Sequence, residues 1–88
     1  MPNLEQFEEN IFNSVNQGLT AKQIAEKTVV AALEAEYGKT FTFSPHFAKM
    51  VDVLAEIIVT NPDLRRQTLS MASRYLQKKN EQYQTNRV

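Results

Sequence analysis

The sequence predicts an all-α fold, a single small four-helix domain, and three observations carry the prediction. Helix-start signals at Asn3, Thr20, Ser44-Pro45 and Asn61-Pro62 stand just ahead of apolar stretches. A capping oxygen accepts an orphan backbone N–H, and proline in the first turn loses no hydrogen bond. The apolar residues that follow recur at three- and four-residue steps, the period of a helix. The chain's two glycines, Gly18 and Gly38, fall where the first two helices must end.

The first helix is predicted over 4–17. Asn3 caps it with Gln6 in the capping-box position, and Glu5, Glu8 and Glu9 complement its positive end. Leu4, Phe7, Ile11 and Val15 share one face. The second helix, 21–37, has the strongest start: Thr20 and Gln23 form a capping box, and Leu19 and Ile24 occupy the staple positions. Its Ala21, Ala25, Thr28, Ala32, Ala35 strip is small enough for a neighbouring helix to approach closely.

Lys39 to Phe43 alternates threonine and phenylalanine, too briefly for an independent sheet. It reads as a short extended connector that tucks Phe41 and Phe43 against the domain. The third helix, 45–60, reads as the core element, capped by Ser44. Phe47, Met50, Val51, Leu54, Ile57 and Ile58 form a broad face that Val53, Ala55 and Val59 widen, leaving Lys49, Asp52 and Glu56 as a narrow charged stripe. Leu54 is expected on the most buried side. A helix apolar around most of its circumference asks for cover on most sides, and a second subunit supplies it more readily than three short helices. The fourth helix, 62–80, has a core face from Leu64 to Leu76 and a basic face of Arg66, Arg74 and Lys78. From about residue 81 only Tyr83 offers apolar area, which predicts a frayed tail.

Composition bounds the function. Eighty-eight residues make one domain, and a chain this short buries little more than ~60% of its unfolded surface. With 42% hydrophobic and 23% charged residues it is an ordinary globular chain. Lack of cysteine excludes disulfides and thiolate chemistry. The first ten residues hold three glutamates and no base, which is not a signal-peptide pattern, and no apolar run approaches a membrane span. The expectation is a soluble cytoplasmic protein without cofactor, metal or small-molecule substrate.

Catalytic material is sparse. His46 is the sole histidine, flanked by Ser44 and Asp52, but Ser44 is assigned to a helix start and nothing supplies an oxyanion site. His46, Asp52 and Glu56 have no recognised metal-ligand spacing, with Lys49 among them. The segment Leu19 to Thr28 resembles the first helix of a helix-turn-helix unit. The resemblance stops there, because residues 29–36 contain no turn and bring Glu34 and Glu36 where a recognition helix meets phosphate.

Net charge is zero but unevenly spread. Residues 1–37 carry six acids against two bases, and residues 64–88 carry six bases against Glu81. These features indicate a non-enzymatic protein-interaction module of the adaptor, assembly-factor or inhibitor type, which binds a protein partner or, as a homodimer, itself through apolar helix faces, with Phe43, Phe47, Met50, Leu54 and Ile58 as candidate interface residues. The alternative is nucleic-acid binding through Arg66, Arg74 and Lys78, which could lie along phosphates.

Overall fold

The computed structural model describes residues 3–85, and side chains through Gln82. The fold is all-α: α1 Leu4–Ser14, α2 Ala21–Tyr37, α3 Phe47–Thr60 and α4 Pro62–Thr85, with a 3₁₀ segment at Lys39–Phe43. The described body measures 45 × 30 × 24 Å.

Asn3 caps α1 by accepting from the Gln6 backbone N–H at 3.1 Å, but Gln6 does not reach back to close the box. Its amide donates instead to Asn10 Oδ1 at 2.9 Å, and Asn10 donates to the Ala31 carbonyl at 3.2 Å, tying α1 to α2. The helix stops at Ser14, three residues before the expected end, because Val15 turns extended and is buried. Gly18, at φ +83, reverses the chain. The capping box of α2 is complete: Thr20 N–H donates to Gln23 Oε1 at 2.9 Å, and Gln23 N–H donates to Thr20 Oγ1 at 3.1 Å. The helix then runs unbroken to Tyr37, and Gly38 leaves it at φ +87.

The expected extended connector is instead a 3₁₀ turn. An isolated extended segment would leave its backbone groups without partners. Here Phe41 N–H donates to Gly38 O at 3.1 Å, Ser44 N–H donates to Phe41 O at 3.0 Å, and Thr42 Oγ1 donates to Lys39 O at 2.8 Å. Ser44 consequently ends this turn rather than capping α3, which starts two residues late, at Phe47. At the next joint Asn61 Oδ1 accepts from both Asp63 and Leu64 N–H at 3.0 Å, as the Asn-Pro signal predicts. Backbone helix continues to Thr85, five residues past the expected end. The Tyr83 side chain and residues 86–88 lie outside the described residues.

The centre of the domain is α2, not α3. Helix α2 touches the three other helices and the 3₁₀ segment, whereas α1 and α3 do not meet. Its buried residues are Ala25, Val29 and Ala31. Ala31 joins Ile11, Val15 and Ala72 in the main cluster, flanked by Phe7, Ile24, Met71, Tyr75 and Leu76. Ala25 and Val29 lie roughly 120–160° away around the helix, so α2 is gripped from two sides. The small-residue strip read from the sequence is therefore only partly buried, with Ala32 within it exposed and Val29 outside it buried. Small side chains on two faces let neighbours approach from both, which the broad but one-sided α3 cannot offer.

Candidate protein interface

Helix α3 divides into three sectors that follow from its sequence. Val51 and Ala55 are buried, with Phe47, Met50, Ile58 and Val59 half-buried beside them, on the side covered by α2 and α4. Asp52 and Glu56 occupy one flank and share a single cation. Lys22 Nζ of α2 lies 3.0 Å from Asp52 Oδ1 and 2.8 Å from Glu56 Oε2. Hydrogen bonding to these carboxylates holds the Lys22 ammonium well above its ordinary pKa, and the same bond to Lys22 holds Asp52 below the usual carboxylate range. The two acids of the charged stripe, Asp52 and Glu56, thus clamp α3 to α2 through Lys22.

The third sector is apolar and uncovered. Val53 is 43% exposed, Leu54 38% and Ile57 52%. At about 100° per residue these three, with the edge of Met50, span an arc of roughly 100°, the width by which a helix ordinarily seats against another element. Two more large apolar side chains are exposed on the segments flanking α3, Phe43 at 83% before it and Leu64 at 39% after it. The expectation that Phe43 tucks inward is corrected. Phe41 takes that place alone, its ring 4.8 Å from that of Tyr37 and 5.9 Å edge-on from that of Phe47. The 3₁₀ geometry separates the two phenylalanines, since residues two apart in a three-residue turn point different ways.

Of the five sequence candidates, Phe43 and Leu54 are exposed, and Phe47, Met50 and Ile58 lie half-buried along the boundary with the core. Leu54 is not on the most buried side as expected; Val51 and Ala55 are. Val53, Ile57 and Leu64, which the sequence places on core faces, are exposed. For Val53 and Ile57 the signal lies in girth: α3 shows more apolar circumference than its neighbours cover.

The three basic candidates of α4, Arg66, Arg74 and Lys78, are exposed but engage their own helix. Arg66 Nη2 pairs with Asp63 Oδ1 at 3.0 Å, Arg74 Nη1 donates to Ser70 Oγ at 3.3 Å, and Lys78 Nζ stands 5.8 Å above the Tyr75 ring. Arg74 and Lys78 border a groove of about 270 Å³ floored by Phe7, Met71 and Tyr75, with Glu8 on its wall. Burial, and secondarily Glu8, pushes the Tyr75 hydroxyl pKa up. A carboxylate in that groove works against a phosphate. A cleft of about 400 Å³ lies between Ser14, Leu19 and Gln23, Glu26, Lys27, Val30, and its Ser14 hydroxyl donates to the Asn10 carbonyl at 2.7 Å. His46 is exposed, and Asp52, its nominal partner in a triad, is held by Lys22.

Among the described residues no helix is long and apolar enough to cross a membrane. No family model matches this chain, and no characterised protein or solved structure matches it either.

Proposed function

We propose that this chain is a non-enzymatic protein-interaction module that self-associates through the uncovered face of α3. The observation that carries the reading is the apolar arc of Val53, Leu54 and Ile57, which α2, α4 and the Lys22 clamp leave uncovered. Apolar area on this scale costs free energy in water, and association removes that cost. Phenylalanine and methionine, the types enriched in interface cores, lie along its edge at Phe43, Phe47 and Met50. Cytoplasmic residence belongs to the same proposal, since a chain without cysteine needs no oxidising compartment.

Light scattering over a dilution series tests it. The expected mass is a multiple of 10.1 kDa that falls on dilution, and Ile57→Asp is expected to return it to the monomer with the helix content unchanged. A mass of one chain at all concentrations overturns self-association.

A second reading, nucleic-acid binding by Arg66, Arg74 and Lys78, is supported by their common exposure on one side of α4. It is tested by gel shift at low salt. Binding that weakens and loses salt dependence in Arg74→Ala supports it, and absence of retardation at micromolar protein removes it.

A further inference from the structure

We propose that α3 pairs with α3 of a second copy in antiparallel orientation, centred between Val53 and Leu54, with Lys49 of each copy against Glu56 of the other. The inference rests on the self-association reading above and specifies its geometry. Two observations lead to it, one of exposure and one of charge.

Val53, Leu54 and Ile57 keep 43, 38 and 52% of their surface exposed. A standard interface takes about 800 Å² from each partner and centres on apolar side chains of this kind, so this arc is where a second copy would seat. The core is correspondingly thin: Ile11 is the one large side chain among the described residues that is fully enclosed.

Charge selects the orientation. Lys49 and Glu56 lie on the same flank of the open arc, two turns apart, and Lys49 forms no ion pair among the described residues. A two-fold axis across α3 keeps that flank facing its own copy while reversing direction. With Val53 opposite Leu54, Met50 comes opposite Ile57, and Lys49 comes within two helical residues, about 3 Å along the axis, of Glu56, twice by symmetry. Glu56 offers a second carboxylate oxygen beyond the one bound to Lys22. The same reversal carries Phe43, before one α3, toward Leu64, after the other. A parallel pair instead sets the Lys49 flank against the opposite side of the partner helix, where Phe47, Leu54 and Ile58 lie, and leaves the lysine unmatched.

The absence of native cysteine makes single-cysteine cross-linking a direct test in the full chain. In the antiparallel register position 53 lies about 1.5 Å along the axis from the residue opposite its own copy, and position 50 about 10 Å. Disulfides need Cα atoms within about 7 Å. Under mild oxidation Val53→Cys is expected to form a disulfide dimer, with a yield at least about tenfold above that of Met50→Cys alone. An equimolar mixture of Met50→Cys and Ile57→Cys is expected to cross-link as a crossed pair. Lys49→Glu, without cysteine, is expected to raise the dimer dissociation constant about tenfold at low salt and less at high salt. A reduced protein that light scattering finds monomeric at every concentration overturns both this inference and the self-association reading. A dimer in which Met50→Cys cross-links as well as Val53→Cys, or in which Lys49→Glu changes nothing, overturns the antiparallel register alone.

Discussion

Lys79 Nζ donates a hydrogen bond of 2.9 Å to the carbonyl oxygen of Val15, 64 residues earlier in the chain. Val15 is the residue that ends α1, so an ammonium from α4 satisfies a carbonyl at the negative end of another helix. The same ammonium stands 5.9 Å from the centre of the Phe12 ring. A basic residue late in α4 thus has a structural task, and the basic character of the C-terminal segment is partly spent inside the molecule.

Replacing that cation tests the assignment. Lys79→Met keeps the aliphatic stem and removes the donor, and it should lower stability by about 1–2 kcal/mol, the scale of a charge-assisted hydrogen bond with a helix-end contribution. Lys78→Met, one position away and exposed, should change stability by less than about 0.5 kcal/mol. Denaturant melts of the two variants give the comparison, and equal effects would place Lys79 among the merely solvated bases.

The α2–α3 clamp should be visible in the pH profile. The Asp52 pKa is lowered from 3.8 by Lys22, so its contribution is present above pH 3.8 and is lost as pH falls through its lower folded value. The Lys22 pKa is raised from 10.5, so the lysine's contribution is present below pH 10.5 and is lost as pH rises beyond it. Lys22→Met should therefore flatten stability on the acid side below pH 3.8 and on the alkaline side above pH 10.5, with little change in shape between. Because the clamp is open to solvent, added salt should shrink the difference between variant and parent.

Thr20 supplies a prediction about helix initiation. Its hydroxyl accepts from Gln23 while its own N–H donates to the Gln23 side chain. Thr20→Ala should cost about 1 kcal/mol, and Gln23→Ala a smaller amount, since it removes only the returning half of the box. A circular-dichroism melt showing no loss in Thr20→Ala would mean that tertiary packing alone fixes the start of α2.

What the sequence reveals and what it hides separate along a physical line. The start of α2 and the Asn61-Pro62 joint are readable because a cap is local chemistry over four residues. The Ser44-Pro45 signal misleads because the preceding 3₁₀ turn draws Ser44 into its own hydrogen bonding. The centrality of α2 is not readable at all: its alanines look modest beside the large residues of α3, yet smallness is what admits neighbours on two sides. For the candidate face, the sequence shows that α3 has excess apolar girth but not which third stays open. That depends on the lateral position of α2 and on the Lys22 clamp, 30 and 34 residues away from its partners Asp52 and Glu56.

The split between core and open face makes a last prediction. Ile11 is fully enclosed in the cluster of α1, α2 and α4, so Ile11→Ala should cost about 2–5 kcal/mol whatever the protein concentration. Leu54 keeps 38% of its surface in water in the single chain. Truncating it in the monomer removes only part of a burial worth about 1.5–3 kcal/mol for a whole leucine side chain, so Leu54→Ala should cost clearly less than Ile11→Ala at high dilution. Once copies associate, the remaining surface is covered and Leu54 gains the contacts it lacks, so the cost of Leu54→Ala should grow as protein concentration rises through the dimer dissociation constant. Melts of both variants and the parent, from micromolar to millimolar protein, separate the two behaviours. A Leu54→Ala penalty that equals that of Ile11→Ala at high dilution would place Leu54 in the monomer core. A penalty that is small and independent of concentration would show that nothing covers the α3 face in the associated state.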